Sequence, residues 1–142
     1  MPMEEIMLIK PIWHTKRNDF TLSLQPDHVA DKYVTHEFHI YKSSWADLHS
    51  ALLPYWSNLY SNPELWTEGQ DEDKIARILD HWKTRIPLIP PMLINKDGKL
   101  FPADGKHRLK AASILDPEEI TFILFKVDLP NILEYFNPEQ ID

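Results

Sequence analysis

The chain has three glycines, and two of them, Gly98 and Gly105, bracket one short apolar segment. Glycine reaches left-handed backbone conformations at little steric cost, so it marks where a chain must turn sharply. Met92-Leu93-Ile94, then Asn95-Lys96-Asp97-Gly98, then Lys99-Leu100-Phe101 has the form of a β-hairpin with an Asp-Gly turn. Asp104-Gly105 closes the second arm, and a helix opens over Lys106-His107-Arg108-Leu109-Lys110-Ala111-Ala112. Lys106, His107 and Arg108 fall in its first turn, beside backbone N–H groups that have no intrahelical partner. A helix start that carries cationic side chains is a site for phosphate or another anion.

The rest of the chain supplies elements to pack around this unit. Residues 6–9 read as a first strand, and Phe20-Thr21-Leu22-Ser23-Leu24 alternates apolar and polar as a half-buried strand does. Residues 33–41 form another strand candidate, with Val34, His36, Phe38 and Ile40 on one face. Ser44-Trp45-Ala46-Asp47 resembles a capping box that starts a helix bearing Trp45, Leu48 and Leu52. Pro54 breaks or restarts that helix, and Asn62-Pro63 marks a turn. Residues 71–85 give the cleanest helical pattern, with Ile75, Ile78, Leu79 and Trp82 on one stripe. Acidic Asp71, Glu72 and Asp73 at its start and Lys83 and Arg85 near its end suit the helix dipole.

Ile86-Pro87-Leu88-Ile89-Pro90-Pro91 is an extended connector into the hairpin. The motif helix runs to about Leu115, where Asp116-Pro117 stops it. Residues 120–127 are almost all apolar, as in a central strand covered on both faces. Pro130 opens a short helix bearing Ile132, Leu133 and Phe136. The order of elements predicts an α+β fold with a small mixed sheet.

Composition narrows the function classes. At 142 residues one domain is expected, and 43% hydrophobic content with five Trp, five Tyr and six Phe indicates a folded core. The absence of cysteine excludes disulfides, thiolate metal sites and thiol chemistry. The first residues, Met1-Pro2-Met3-Glu4-Glu5, lack the basic-then-apolar order of a secretory signal, and no apolar run approaches a membrane span. A cytoplasmic location is therefore expected. A net charge of −7 argues against broad affinity for DNA. The charge is uneven: residues 96–113 carry five Lys and Arg against two Asp, whereas residues 114–142 carry seven acids against one Lys. The positive island coincides with the motif, and a small polyanion such as a nucleotide fits it better than a long duplex.

Ile89-Pro90-Pro91-Met92-Leu93-Ile94, the Asp97-Gly98 turn, Asp104-Gly105-Lys106-His107-Arg108 with Ala111-Ala112, and the apolar strand of residues 120–127 together resemble the core of the ParB/sulfiredoxin-like superfamily. The resemblance covers residues 71–128, leaving residues 1–70 unassigned and residues 129–142 as a tail or short helix. It implies a nucleotide-binding core in which a Gly-x-x-Arg segment, here Gly105-Lys106-His107-Arg108, opens a helix and holds phosphates. ATP, ADP or CTP is the implied cofactor, with Mg²⁺ as a companion ion. Lys106 stands where ParB proteins usually carry an acidic residue that supports CTP turnover. Sulfiredoxin chemistry needs a cysteine and is excluded. No helix-turn-helix pattern or dimerisation tail follows residue 128.

On this reading Arg108 grips a phosphate through its planar fork, Lys106 adds point charge, and Gly105 lets the backbone approach. Asp104 is either an N-cap or the group that holds Mg²⁺ or orients an acceptor. His107 is either an acid–base group or a structural hydrogen-bonding group. Glu4, Glu5 and Glu37 are further candidate bases. His36 and His39, with His28 and Glu37 nearby, have metal-like spacing only on a helix; on a strand they face opposite sides. Trp45, Tyr55, Trp56, Tyr60 and Trp66 serve core packing or a partner surface in preference to stacking a base. The expected function is nucleotide-phosphate binding, as in an NTP-dependent phosphotransferase or hydrolase. The competing reading is a non-catalytic acidic interaction factor, such as an inhibitor, immunity or phage-encoded protein, that meets a basic partner.

Overall fold

A computed structural model describes residues 3–22, 33, 37–62 and 70–142. They form an α+β fold around a five-stranded mixed sheet in the order β3-β2-β4-β1-β5. β1 is Phe38–Ser43, β2 Met92–Lys96, β3 Lys99–Asp104, β4 Ile120–Phe125 and β5 Glu139–Gln140. The helices are α1 (Met3–Ile6), α2 (Trp45–Ala51), α3 (Pro54–Tyr60), α4 (Gln70–Lys83), α5 (Lys106–Leu115) and α6 (Leu129–Ile132).

The hairpin forms as its turn residues require. Asp97 and Gly98 both have positive φ, 53° and 78°, the backbone of a two-residue type I′ turn between β2 and β3. β3 is the edge strand of the sheet, where a proline such as Pro102 is tolerated; outside the sheet it is met only locally among the described residues, at Leu100, whose carbonyl accepts from the Leu53 amide at 2.8 Å. From Asp104 the chain crosses through α5 and returns as β4, which lies parallel to β2 and antiparallel to β1.

β4 occupies the middle of the sheet, and all six of its residues are buried. Ile120, Phe122 and Leu124 join one core with Leu93, Leu100 and Tyr41, under Ile75, Leu79 and Trp82 of α4 and Leu109, Ala112 and Leu115 of α5. Ile123 and Phe125 join the opposite core with Ile40, Met92, Ile94 and Tyr33. Period-two alternation thus feeds two cores, which is why the segment reads as a continuous apolar run. Ser44 caps α2, its Oγ accepting from the Asp47 amide at 3.2 Å.

Several sequence expectations change. Residues 6–9 are not a strand: Ile6 ends the turn α1, and Ile9 packs into the core as coil. Phe20 and Leu22 pack on the second core, but residues 20–22 pair with no strand among the described residues: the alternation supplies an apolar face and no partner edge. Ser23, Leu24, Val34 and His36 lie outside the described residues, and the neighbouring strand β1 begins at Phe38. The run at 120–127 stops pairing at Phe125 and continues as a 3-10 turn, Lys126–Asp128. The C-terminal helix ends at Ile132, short of Leu133 and Phe136; Ile132 and Phe136 are buried, whereas Leu133 is exposed.

That 3-10 turn places Asp128 inside the protein. Its carboxylate accepts from the Tyr33 hydroxyl at 2.9 Å and from the Asn95 amide at 3.1 Å. Burial, reinforced by Asp128, pushes the Tyr33 hydroxyl well above its ordinary range. Tyr135, whose hydroxyl donates to Asn95 Oδ1 at 2.7 Å, is pushed up to about 12, mainly by burial. Asp128→Ala would remove the acceptor of the Tyr33 hydroxyl and of the Asn95 amide, so a loss of about 3 kcal/mol in unfolding free energy is expected from chemical denaturation. A loss below about 1 kcal/mol would show that water reaches these donors.

Candidate functional site

The hairpin delivers its second arm to the start of α5. β3 ends at Asp104, Gly105 takes a left-handed conformation with φ 83°, and α5 starts at Lys106. The first intrahelical bond runs from the Leu109 amide to the Gly105 carbonyl, so the amides of residues 106–108 precede the helical ladder. Gly105 is the N-cap and supplies no side-chain cap. The N-cap reading of Asp104 is therefore corrected: the left-handed glycine takes the cap position, and Asp104 remains on the strand.

The Arg108 side chain folds back over Gly105. A Cβ on Gly105 would stand 2.6 Å from Arg108 Nη2 and 2.8 Å from the Cα of Pro91. The guanidinium is largely buried, and its Nε has no hydrogen-bond partner among the described residues. Its counter-ion is loose: Nη2 lies 3.6 Å from Asp104 Oδ2, and the Asp104 side chain is 62% exposed. Burial lowers the Arg108 pKa from its ordinary value, and Asp104 offsets this only in part. A partly buried cation with one unpaired N–H and a solvated partner has donor capacity left over.

The site opens into a cleft of about 580 Å³, lined by residues 102–108 and by Lys74, Arg77 and Ile78 of α4. All five residues singled out in the sequence (Asp104, Gly105, Lys106, His107 and Arg108) line it. Lys74 and Arg77 complete a second wall that the motif alone did not reveal. They flank Ile75 and Ile78 on α4, and a pair of basic residues beside an apolar stripe was the available signal. Among the described residues, Lys74, Arg77 and Lys106 form no ion pair with a carboxylate.

His107 is buried, and its Nε2 lies 2.6 Å from Asp71 Oδ1. This contact ties the first turn of α5 to the start of α4 and holds the two walls together. The Tyr60 hydroxyl donates to the Lys106 carbonyl at 2.8 Å and braces the same turn from α3. Further along α5, the buried Lys110 donates through Nζ to the Asn62 carbonyl, and burial lowers its pKa. The hydrogen bond from His107, aided by the charges of His107, Lys106 and Lys74, holds the Asp71 carboxyl below its ordinary 3.8.

The sign of the linkage follows. A carboxyl whose folded pKa is depressed adds stability above its ordinary value and loses it as pH falls through the folded one. Asp71→Asn should therefore lower the urea midpoint near neutral pH, and the gap to wild type should close below about pH 3.8. A gap that persists unchanged in acid would mean the contact is not ionic.

The other candidates lie elsewhere. Glu5 lines a separate cleft with Leu8, Ile12 and Trp82. Glu37 is at the start of β1, with Arg17 at 3.5 Å and His39 at 3.2 Å. His39 also lies 3.4 Å from Asp142. Trp45, Trp56 and Tyr60 pack into or against the core, and Tyr55 is exposed. The side chain of Glu4, and His28, His36, Pro63 and Trp66, lie outside the described residues. Among the described residues no helix is long and apolar enough to cross a membrane. No family model, curated protein or solved structure matches the chain.

Proposed function

We propose that this cleft binds the phosphates of a nucleotide, as the resemblance of residues 71–128 to ParB-like cores implies. The observation that carries the reading is Arg108, a largely buried guanidinium with an unpaired Nε and a solvated counter-ion at the mouth of a cationic cleft. Its planar fork pairs with phosphate oxygens, the amides of residues 106–108 donate to the same group, and Lys106 adds charge. Gly105, lacking a side chain, lets the guanidinium and the ligand approach the backbone. Asp104, solvent-exposed beside Arg108, is the carboxylate able to orient an acceptor hydroxyl or water, since phosphoryl transfer depends chiefly on positioning and charge stabilisation. His107 acts through Asp71 to keep α4 and α5 in register.

Calorimetric titration of the wild type with ATP, ADP, CTP and GTP tests the proposal. Saturable binding of at least one is expected, and no heat from any of them would overturn it. The competing reading, an acidic interaction surface, draws on exposed Glu118, Glu119, Glu134 and Glu139 in the C-terminal segment. Capture of a specific basic protein, unaffected by changing Arg108, would favour that reading.

A further inference from the structure

The charge inventory of the cleft bears on the form of its ligand. Its walls present Lys74 and Arg77 from α4 and Lys106 and Arg108 from α5. Asp104 is the only carboxylate among the described lining residues, and it already faces the Arg108 guanidinium. Asp71, beyond the lining, is engaged by His107 and lies within reach of the charges of Lys106 and Lys74. Proteins hold Mg²⁺ through one or two carboxylates together with the substrate's phosphates, the ion keeping several waters. Here a divalent ion seated at Asp104 would stand beside the Arg108 guanidinium and Lys106, with Lys74 and Arg77 on the opposite wall, a repulsive arrangement in a partly desolvated site. The donor set does not fit the metal that nucleotide chemistry usually brings.

Four cations on two facing helices match instead a chain of phosphates with its full charge. We propose that the cleft takes a free polyphosphate in preference to its Mg²⁺ chelate, with one phosphate on Arg108 and the α5 amides and the next on Lys74 and Arg77. The inference rests on the phosphate-binding reading above and specifies the ligand's ionic form. Chelation removes about two of the roughly four negative charges of a nucleoside triphosphate and occupies the oxygens that the cations would hold. Mg²⁺ therefore acts as a competitor for the ligand.

The test is calorimetry of the full chain with ATP and with inorganic tripolyphosphate, each in EDTA and in excess Mg²⁺ at matched ionic strength. Free ATP is expected to bind at least tenfold more tightly than Mg²⁺–ATP. Tripolyphosphate should show the same Mg²⁺ sensitivity, which would assign the preference to the phosphates. The Lys74→Ala/Arg77→Ala variant, changed at surface positions of α4, should weaken free ATP by tenfold or more and reduce the Mg²⁺ effect to under threefold. Equal affinity with and without Mg²⁺, or tighter binding with it, would overturn the inference and leave the nucleotide reading standing. Absence of binding under every condition would overturn both.

Discussion

Gly105→Ala is expected to lower the thermal unfolding midpoint by about 10 °C, far more than the same change at Gly98. Both glycines have positive φ, near 80°, so both variants incur the left-handed strain of an L side chain, about 1–2 kcal/mol. Their surroundings differ. A Cβ at position 98 meets nothing within 4 Å, whereas at position 105 it would stand 2.8 Å from the Cα of Pro91 and 2.6 Å from Arg108 Nη2. The guanidinium can move, but the Pro91 backbone cannot, because its carbonyl accepts from the Ile123 amide at 2.8 Å in the middle of the sheet. Forcing that contact adds roughly 1–3 kcal/mol of overpacking strain. At about 3–5 °C per kcal/mol for a chain of this size, Gly105→Ala costs about 10 °C and Gly98→Ala about 4 °C. Differential scanning calorimetry of the two variants checks the ranking, and equal shifts would contradict the close approach of Gly105 to Pro91.

Arg108→Ala is expected to weaken nucleotide binding by about a hundredfold or more while leaving the unfolding midpoint unchanged or slightly raised. Two charge-assisted hydrogen bonds to a phosphate contribute about 1.5–3 kcal/mol each, which sets the size of the loss. Without a ligand the same guanidinium is a desolvated charge with only a loose partner, and removing it relieves a cost of folding. Arg108→Lys should recover part of the affinity, because it restores charge but not the planar fork. Calorimetry and thermal unfolding on the same three proteins separate the roles. Intact affinity combined with a large fall in midpoint would make Arg108 a structural residue.

The part of the fold encoded locally was legible in the sequence. The Asp97-Gly98 turn, the left-handed Gly105, the stripe of α4 and the apolar β4 each carry their signal within a few residues, and each formed, β4 ending two residues earlier than read. The apolar run at 6–9 and the alternation at 20–22 misled because such patterns record a tendency to burial, not whether a partner strand is adjacent. Asp104 as N-cap failed by one residue, since no sequence pattern separates a capping Asp from one preceding a left-handed cap glycine. Within the site, the motif exposed the five contiguous residues but not Lys74, Arg77 or Asp71. Their roles depend on α4 packing against α5, a contact between segments about thirty residues apart that no local period encodes.

The most direct measurement is a crystal structure of the protein grown with nucleotide. Phosphate density within hydrogen-bonding distance of Arg108 and the amides of residues 106–108, with Lys74 and Arg77 turned toward it, is the predicted result. An ordered nucleotide bound elsewhere on the molecule, with the cleft beside Gly105 holding only water, would contradict it.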